Sequence, residues 1–153
     1  MLFIPLVIIQ LTIIPFISLG SIIPNLIVVL LVYFTINNGQ VFGTILGSIF
    51  GLLFDIVSGG ILGSAMFSMT VAGFVAGYFY NENKVDYYSS SLIFLLIIFF
   101  SAFIDSFIFL LVSSSEIKLT ASDLILEQGV LPAIFTMLIS LPLLLFNQRK
   151  KKL

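Results

Sequence analysis

The sequence predicts an all-α, polytopic integral membrane protein with six transmembrane helices in a single domain over residues 1–153. Hydrophobic residues make up 60% of the chain and charged residues only 8%, whereas a soluble domain devotes about a quarter of its residues to charge. The apolar residues also form long blocks almost free of charge, and the mean hydropathy of the chain is +1.28. Such blocks are typical of helices that face lipid.

Charged and polar runs divide the chain into six apolar segments. A spanning helix needs about 17 to 25 residues, and every segment except 22–36 meets that length. This second segment either continues through Asn37 and Asn38 into the headgroup region or does not cross fully. The first is interpreted as a span and not as a cleaved signal peptide, because no Lys or Arg precedes it. The predicted spans are Leu2–Leu19, Ile22–Ile36, Val41–Val57, Leu62–Tyr80, Ser91–Val112 and Gly129–Phe146.

The basic residues predict the orientation, because Lys and Arg are retained on the cytoplasmic side of a membrane. With six spans, the basic C-terminal end and the loop between the fourth and fifth spans lie inside, as does the N-terminus. An odd number of spans would place the N-terminus outside, and the uncharged first span does little to oppose that. The residues on which this topology rests are Lys84, Arg149, Lys150, Lys151 and Lys152.

Glycines recur at every fourth position at the start of the third span and reappear in the fourth. They leave one helix face nearly bare, which in lipid allows another backbone to approach closely. Two interpretations are open: the glycines pack the protein's own bundle, which is the simpler one, or they form a docking face for a partner helix. The predicted helix-packing residues are Gly39, Gly43, Gly47, Gly51, Gly73 and Gly77.

A turn at the outer surface is predicted between the third and fourth spans. Gly59 and Gly60 provide the backbone freedom to reverse direction within a few residues, and Ser58 and Gly63 flank them.

Three polar residues are predicted within the membrane: Asp55, Asp105 and Asn25. A carboxylate in hydrocarbon costs at least a few kcal/mol, so it normally faces protein or water. The two acids could form an ion or small-solute site. The preferred interpretation is that they accept hydrogen bonds from neighbouring Ser, Thr, Asn or backbone groups, or are protonated by desolvation, and so fix the helix register or contact a partner.

The composition and motifs argue against catalysis. The chain has neither His nor Cys, which removes the commonest general base and the thiol nucleophile. Asp105 follows Ala102-Phe103-Ile104, not the Gly-x-Gly of intramembrane aspartyl proteases, and the Asn- and Arg-bearing motifs of lipoprotein signal peptidases are missing. We therefore predict no catalytic residue, no metal site and no cofactor, and the lack of a basic face predicts no nucleic-acid partner.

An ordered set of motifs resembles the MreD family of rod shape-determining membrane proteins. The set runs over roughly 24–146, and the match departs at 37–39, where family members often carry a basic residue. The motifs are Pro24-Asn25-Leu26, Tyr33, the Gly43/Gly47/Gly51 series, Asp55-Ile56-Val57-Ser58-Gly59, Leu62-Gly63, Ser101-x-x-x-Asp105 and Gly129-Val130-Leu131.

The resemblance implies a non-enzymatic scaffold in the bacterial inner membrane, with both termini cytoplasmic. It would pair with the periplasmic protein MreC and help link MreB filaments to a RodA-type polymerase and a class B transpeptidase. The family is also similar in architecture to the six-helix S components of energy-coupling-factor transporters, so the alternative is a substrate-binding subunit of a vitamin-type transporter. Many such subunits carry an Ala-x-x-x-Ala face in the first span, and residues 2–19 contain no alanine.

Overall fold

A computed structural model describes residues 10, 12, 24–83, 88, 91–113 and 129–142 of the chain. This described part is all-α. The predicted first span lies outside it apart from Gln10 and Thr12, and Lys84 and the basic residues 149–152 lie outside it entirely. The helices are α1 (Leu26–Asn38), α2 (Gln40–Ser58), α3 (Ser64–Gly77), α4 (Leu92–Ser113) and α5 (Leu131–Ile139).

Helix α1 begins four residues later than the predicted second span because Asn25 is its N-cap. The Asn25 side-chain oxygen accepts hydrogen bonds from the backbone N–H groups of Ile27 (3.1 Å) and Val28 (3.4 Å), which have no partner within the helix. At its other end α1 continues through Asn37 and Asn38.

Helix α3 also begins later than its predicted segment, which started at Leu62. Gly63 has φ +98°, a left-handed conformation that ends the preceding turn, so the helix starts at Ser64. Ile61 and Leu62 are apolar but belong to the turn and are exposed. Within the predicted segment 129–146, α5 covers 131–139, a turn follows at Ser140, residues 129–130 and 141–142 are also helical, and residues 143–146 lie outside the described part.

Helix α1 lies at the centre of the described bundle, and it contacts α2, α3, α4 and α5. One side of it, with Val28, Val32 and Ile36, packs in a buried cluster with residues of α4 and α5. Its other side, with Ile27 and Leu31, packs in a second buried cluster with residues of α2 and α3. Helix α1 is apolar on all sides, as is expected of a helix that is buried between two clusters.

The outer faces of the bundle are apolar. Helices α2 (19 residues) and α4 (22 residues) are each long and apolar enough to cross a membrane by length and composition, and α1 and α3 are shorter apolar helices. On α2 the side opposite the buried glycines is exposed and carries Val41, Phe42, Ile45, Ile49, Leu52, Leu53, Ile56 and Val57. This arrangement of buried small residues and exposed large apolar ones suits a helix surrounded partly by lipid.

Candidate functional site

The most extensive helix contact is the antiparallel hairpin of α2 and α3, and it is made through glycine. A Cβ added to Gly47 would overlap the backbone carbonyl of Met69, and one added to Gly51 would overlap the backbone of Ala65 and Met66. The backbones of α2 and α3 are therefore in direct contact, which is possible only where residues lack a side chain. We call this surface, formed by Gly43, Gly47, Gly51, Gly73 and Gly77, the glycine contact.

The glycine contact has a regular register. Gly73 of α3 faces the backbone carbonyl of Gly43, and Gly77 faces Gln40, so successive turns of α3 meet successive turns of α2 in reverse order. Gly43 also faces the buried side chain of Thr35 on α1. All five glycines are buried, so the chain's own helices occupy the face that a partner helix was considered to use.

Gly39 is not part of the glycine contact, although its spacing suggested that it was. It forms the one-residue connection between α1 and α2, with φ +97°, and the ring of Tyr80 lies 3.5 Å from where its Cβ would be. A positive φ rather than close helix packing therefore requires glycine at this position.

Asp55, in the last turn of α2, binds the start of α3. Its Oδ2 accepts hydrogen bonds from the backbone N–H groups of Gly63 (2.9 Å) and Met66 (3.1 Å). Its Oδ1 accepts from the backbone N–H of Ala65 (3.1 Å) and the hydroxyl of Ser64 (3.2 Å). The first N–H groups of a helix have no intrahelical partner and lie at the positive end of the helix dipole. The Asp55 carboxylate therefore caps the N-terminus of α3 from α2, since the N-cap residue itself, Gly63, has no side chain to do so.

The predicted outer turn lies directly beside this cap. Ser58 is the last residue of α2, and Gly59 ends the helix in the left-handed conformation, with its N–H donating to the carbonyl of Asp55 (3.1 Å). Gly60 is exposed, and Gly63 donates to the Asp55 carboxylate. The turn therefore wraps around Asp55, which is 1% exposed.

Asp105, in α4, accepts hydrogen bonds on both oxygens from two other helical segments. The hydroxyl of Ser68 in α3 donates to Oδ1 (2.7 Å), and the side-chain amide of Asn25 donates to Oδ2 (2.9 Å). Asp105 is 4% exposed. The sequence singled out Asn25 and Asp105 separately, and the structure joins them across 80 residues of chain.

Two further segments bond the backbone at and beside Asn25. The backbone N–H of Asn25 donates to the Thr136 hydroxyl of α5 (3.0 Å). Gln10 brackets the start of α1, because its amide donates to the carbonyl of Pro24 (2.7 Å) and its oxygen accepts from the N–H of Leu26 (2.9 Å). We call the set Gln10, Asn25, Ser68, Asp105 and Thr136 the Asp105 network.

A cavity of about 600 Å³ lies beside the Asp105 network. It is at the end of the bundle where α2 and α4 finish and α1, α3 and α5 begin. Asn25, Ser68 and Asp105 contribute polar groups to its wall, and Phe54, Met69 and Phe109 contribute apolar surface. The volume is in the range of small-molecule sites, which span about 300 to 1,000 Å³.

Within the described residues, no group of three or more His, Cys, Asp or Glu side chains could hold a metal ion. Every Lys and Arg of the chain lies outside that part, so the carboxylates of Asp55 and Asp105 have only neutral partners in it. The two acids have separate partners, and of the pair only Asp105 lines the cavity.

Comparison with known proteins identifies the family. The sequence model of the family described as rod shape-determining protein MreD matches residues 1–150. The chain belongs to the MreD family. No curated protein and no solved structure gives a significant match. As an MreD family member, the chain is a non-enzymatic, shape-determining membrane protein, which agrees with its apolar helices.

Most of the motifs that suggested MreD lie at the contacts described above. Pro24-Asn25-Leu26 opens α1 within the Asp105 network, the Gly43/Gly47/Gly51 series forms one side of the glycine contact, and residues 55–59 form the cap and turn. Ser101 is buried one turn before Asp105 on the same face of α4, and its hydroxyl has no hydrogen-bond partner in the described part.

Sequence reasoning missed Ser68, Thr136 and Gln10. Ser and Thr are frequent in membrane helices, where their hydroxyls bond their own helix, as Thr136 also does to the carbonyl of Pro132 (2.7 Å). Nothing local to Ser68 and Thr136 distinguishes them from such cases, whereas Gln10 is the one amide side chain in the apolar segment 2–19, which is a signal for an interhelical bond. The N-cap role of Asn25 could have been predicted, because Asn immediately before an apolar run is a typical N-cap.

Proposed function

We propose that this MreD family protein is a scaffold of the bacterial cell-elongation complex in the inner membrane. It pairs with an MreC-like periplasmic protein and helps couple MreB filaments to a RodA-type polymerase and a class B transpeptidase. The family match over residues 1–150 is the observation that carries this proposal.

The contacts of the described residues support a scaffold that acts by binding partner proteins and not by catalysis. Both membrane carboxylates accept internal hydrogen bonds, and the glycine contact is filled by the chain itself. Among the described residues, the exposed surfaces that could meet a partner are apolar, and they include the outer face of α2, with Ile45, Ile49 and Ile56, and the outer face of α4, with Leu96 and Phe100.

Copurification tests the partnership. A tagged chain extracted from membranes should recover an MreC-like protein, and deletion of the gene should abolish rod shape. Because the chain has no cysteine, single cysteines on the outer faces can then locate the interface by cross-linking. We expect adducts to cluster on one face, either at Ile45, Ile49 and Ile56 or at Leu96 and Phe100. Normal cell shape after deletion of the gene would refute the scaffold role.

The proposed topology has six spans, with both termini and Lys84 inside and the turn 58–63 outside. Its test uses the same cysteine-free background, with Gly60→Cys in the turn and Asn83→Cys at the other end of α3; both positions are exposed. A membrane-impermeant maleimide added to intact cells should label the first and not the second. Reversed labelling would reject the proposed orientation.

The alternative, a substrate-binding subunit of a vitamin-type transporter, is favoured by one observation, the cavity of about 600 Å³. That function requires a partner that hydrolyses ATP, and the scaffold function requires an MreC-like protein. The identity of the copurified partner therefore separates the two. Recovery of an ATPase module and substrate uptake dependent on this chain would favour the transporter.

A further inference from the structure

The Asp105 carboxylate forms part of a cavity wall and has no cationic neighbour among the described residues. Its partners are the neutral side chains of Ser68 and Asn25, each of which donates one hydrogen bond. An ionised carboxylate offers about four acceptor positions on its two oxygens, so these two bonds leave acceptor capacity unused. A buried carboxylate of this kind is stabilised by a further donor, above all a charged one.

The rest of the cavity exposes more apolar than polar surface, although Gln10, Ser58, Ser106 and Ser113 also line it. Phe54 and Met69 contribute to it from α2 and α3, and Phe109 contributes from α4, one turn beyond Asp105. The combination of one carboxylate with aromatic and aliphatic walls fits a ligand with a cationic head and an apolar body. An anionic head would be repelled by the negative charge of the Asp105 carboxylate.

We propose that this cavity binds a small amphipathic molecule carrying a primary ammonium group, which donates a hydrogen bond to Asp105 while its apolar body packs against Phe54, Met69 and Phe109. The inference is independent of the scaffold function, because it concerns a ligand of this chain and not a protein partner. Two sources provide the same chemistry: a free alkylamine-type molecule, and the headgroup of an aminolipid such as phosphatidylethanolamine.

The sequence supplies a direct reporter of occupancy. The chain has no tryptophan, so Phe109→Trp places a single fluorophore at the cavity. Phe100→Trp on the same helix is the matched control, because Phe100 is absent from the lining and has a comparable exposure, 50% against 37% for Phe109. The probes are a bromoundecyl amine, alcohol and acid, whose bromine quenches tryptophan on contact.

We expect the amine to quench the Phe109→Trp variant saturably, with an affinity at least about tenfold higher than that of the alcohol, because a charge-assisted hydrogen bond is stronger than a neutral one. The acid should bind more weakly than the alcohol. All three probes should quench the Phe100→Trp variant without saturation and in proportion to their own partitioning into the detergent or lipid, since they reach its fluorophore only by that route. Equal quenching of the Phe109→Trp variant by the three probes would overturn the proposal.

Two variants in the Phe109→Trp background test the role of the carboxylate. Asp105→Asn should abolish the preference for the amine over the alcohol, because it removes the charge but keeps a hydrogen-bonding group. Ser101→Ala is the control: its hydroxyl lies one turn from Asp105 on α4 but has no partner in the described part and does not line the cavity, so the preference should persist. A preference that survives in Asp105→Asn would contradict the proposal. If that variant is not monodisperse, the comparison of the three probes on the Phe109→Trp variant alone still decides.

Nanodiscs distinguish the two sources. In phosphatidylcholine nanodiscs the bromoundecyl amine should quench the Phe109→Trp variant saturably. If phosphatidylethanolamine replaces half of that lipid and lowers the amine affinity by about tenfold or more, the aminolipid headgroup is the occupant. If the affinity is unchanged, the site takes a free amine. No amine preference in phosphatidylcholine would refute both forms of the proposal.

Discussion

The glycine contact and the Asp105 network hold helices together in opposite ways. In the glycine contact the backbones of α2 and α3 meet directly, and the residues contribute by lacking side chains. In the Asp105 network α1, α3, α4 and α5 are joined by side chains that reach across the gap between helices. The first contact depends on shape and the second on hydrogen bonds.

The difference follows from the solvent. Lipid tails are as apolar as Leu, so burial of apolar surface does little to associate helices in a bilayer. Close backbone packing and interhelical hydrogen bonds remain, and this chain uses each at a different place. A shape-based contact tolerates no added atom, whereas a hydrogen-bonded contact tolerates any side chain that keeps the bonds. The following predictions test that distinction, from the largest expected effect to the smallest.

Gly47→Leu should have the largest effect. Even its Cβ would overlap the carbonyl of Met69, so α3 must move away from α2, at a cost of about 3 kcal/mol or more. The control is Ser48→Leu, at the adjacent position, whose hydroxyl bonds only the carbonyl of Ile45 in its own helix. Unfolding in detergent, followed by circular dichroism, should show a large loss for the first and little change for the second. Similar values for both would mean that α2 and α3 do not require close approach.

Asp55→Leu should cost about 2 to 3 kcal/mol, because it leaves the first N–H groups of α3 without an acceptor. Asp55→Asn should cost about half as much, since one amide oxygen can replace only one carboxylate oxygen. The same unfolding measurement checks both. A loss of this size would show that the α2–α3 hairpin, which packs through its glycines, also depends on a hydrogen-bonded cap. Equal stability of Asp55→Leu and the unmodified protein would show that the cap contributes nothing.

Asp105→Leu should cost about 1 to 2 kcal/mol through loss of both interhelical bonds, whereas Asp105→Asn should cost little. The Asn side chain can accept from Asn25 and donate to Ser68, whose hydroxyl has a second acceptor in the carbonyl of Ala65 (3.2 Å). Partner recovery and unfolding should both show this order. If Asn is as damaging as Leu, charge and not hydrogen bonding is what this position requires.

Ser101→Ala should have the smallest effect and the opposite sign. The Ser101 hydroxyl is fully buried and has no partner in the described part, so its removal should leave stability unchanged or raise it by up to about 1 kcal/mol. Ser68→Ala, which removes a bond to Asp105, is the matched destabilising control. A loss of stability in Ser101→Ala as large as in Ser68→Ala would show that the Ser101 hydroxyl contributes a bond of its own.

Local patterns were enough to predict several features of these regions. The four-residue glycine spacing predicted a bare face on α2, and the structure places α3 on that face. The glycines at 59, 60 and 63 predicted a turn, which the structure shows between Ser58 and Ser64. The all-α fold and the family followed from the apolar blocks and the order of the motifs. The number of spans and their orientation stay predictions.

The pairings themselves could not be predicted, because they join residues far apart in the chain. Asp105 bonds Asn25 across 80 residues and Ser68 across 37, and no periodicity encodes which polar groups will meet. The starts of α1 and α3 were placed too early for a physical reason. Hydropathy counts Leu62 as helical, whereas the start of a helix depends on where its N–H groups find acceptors.

The Asp55 cap has a consequence for how the protein enters the membrane. An unpaired N–H group in hydrocarbon costs several kcal/mol, so a helical segment that arrives with free ends resists insertion. The α2–α3 hairpin carries its own acceptor for the start of α3, and its two helices fit each other through glycine. It is therefore suited to partition from the translocon as one self-contained pair, on which the later helices then assemble.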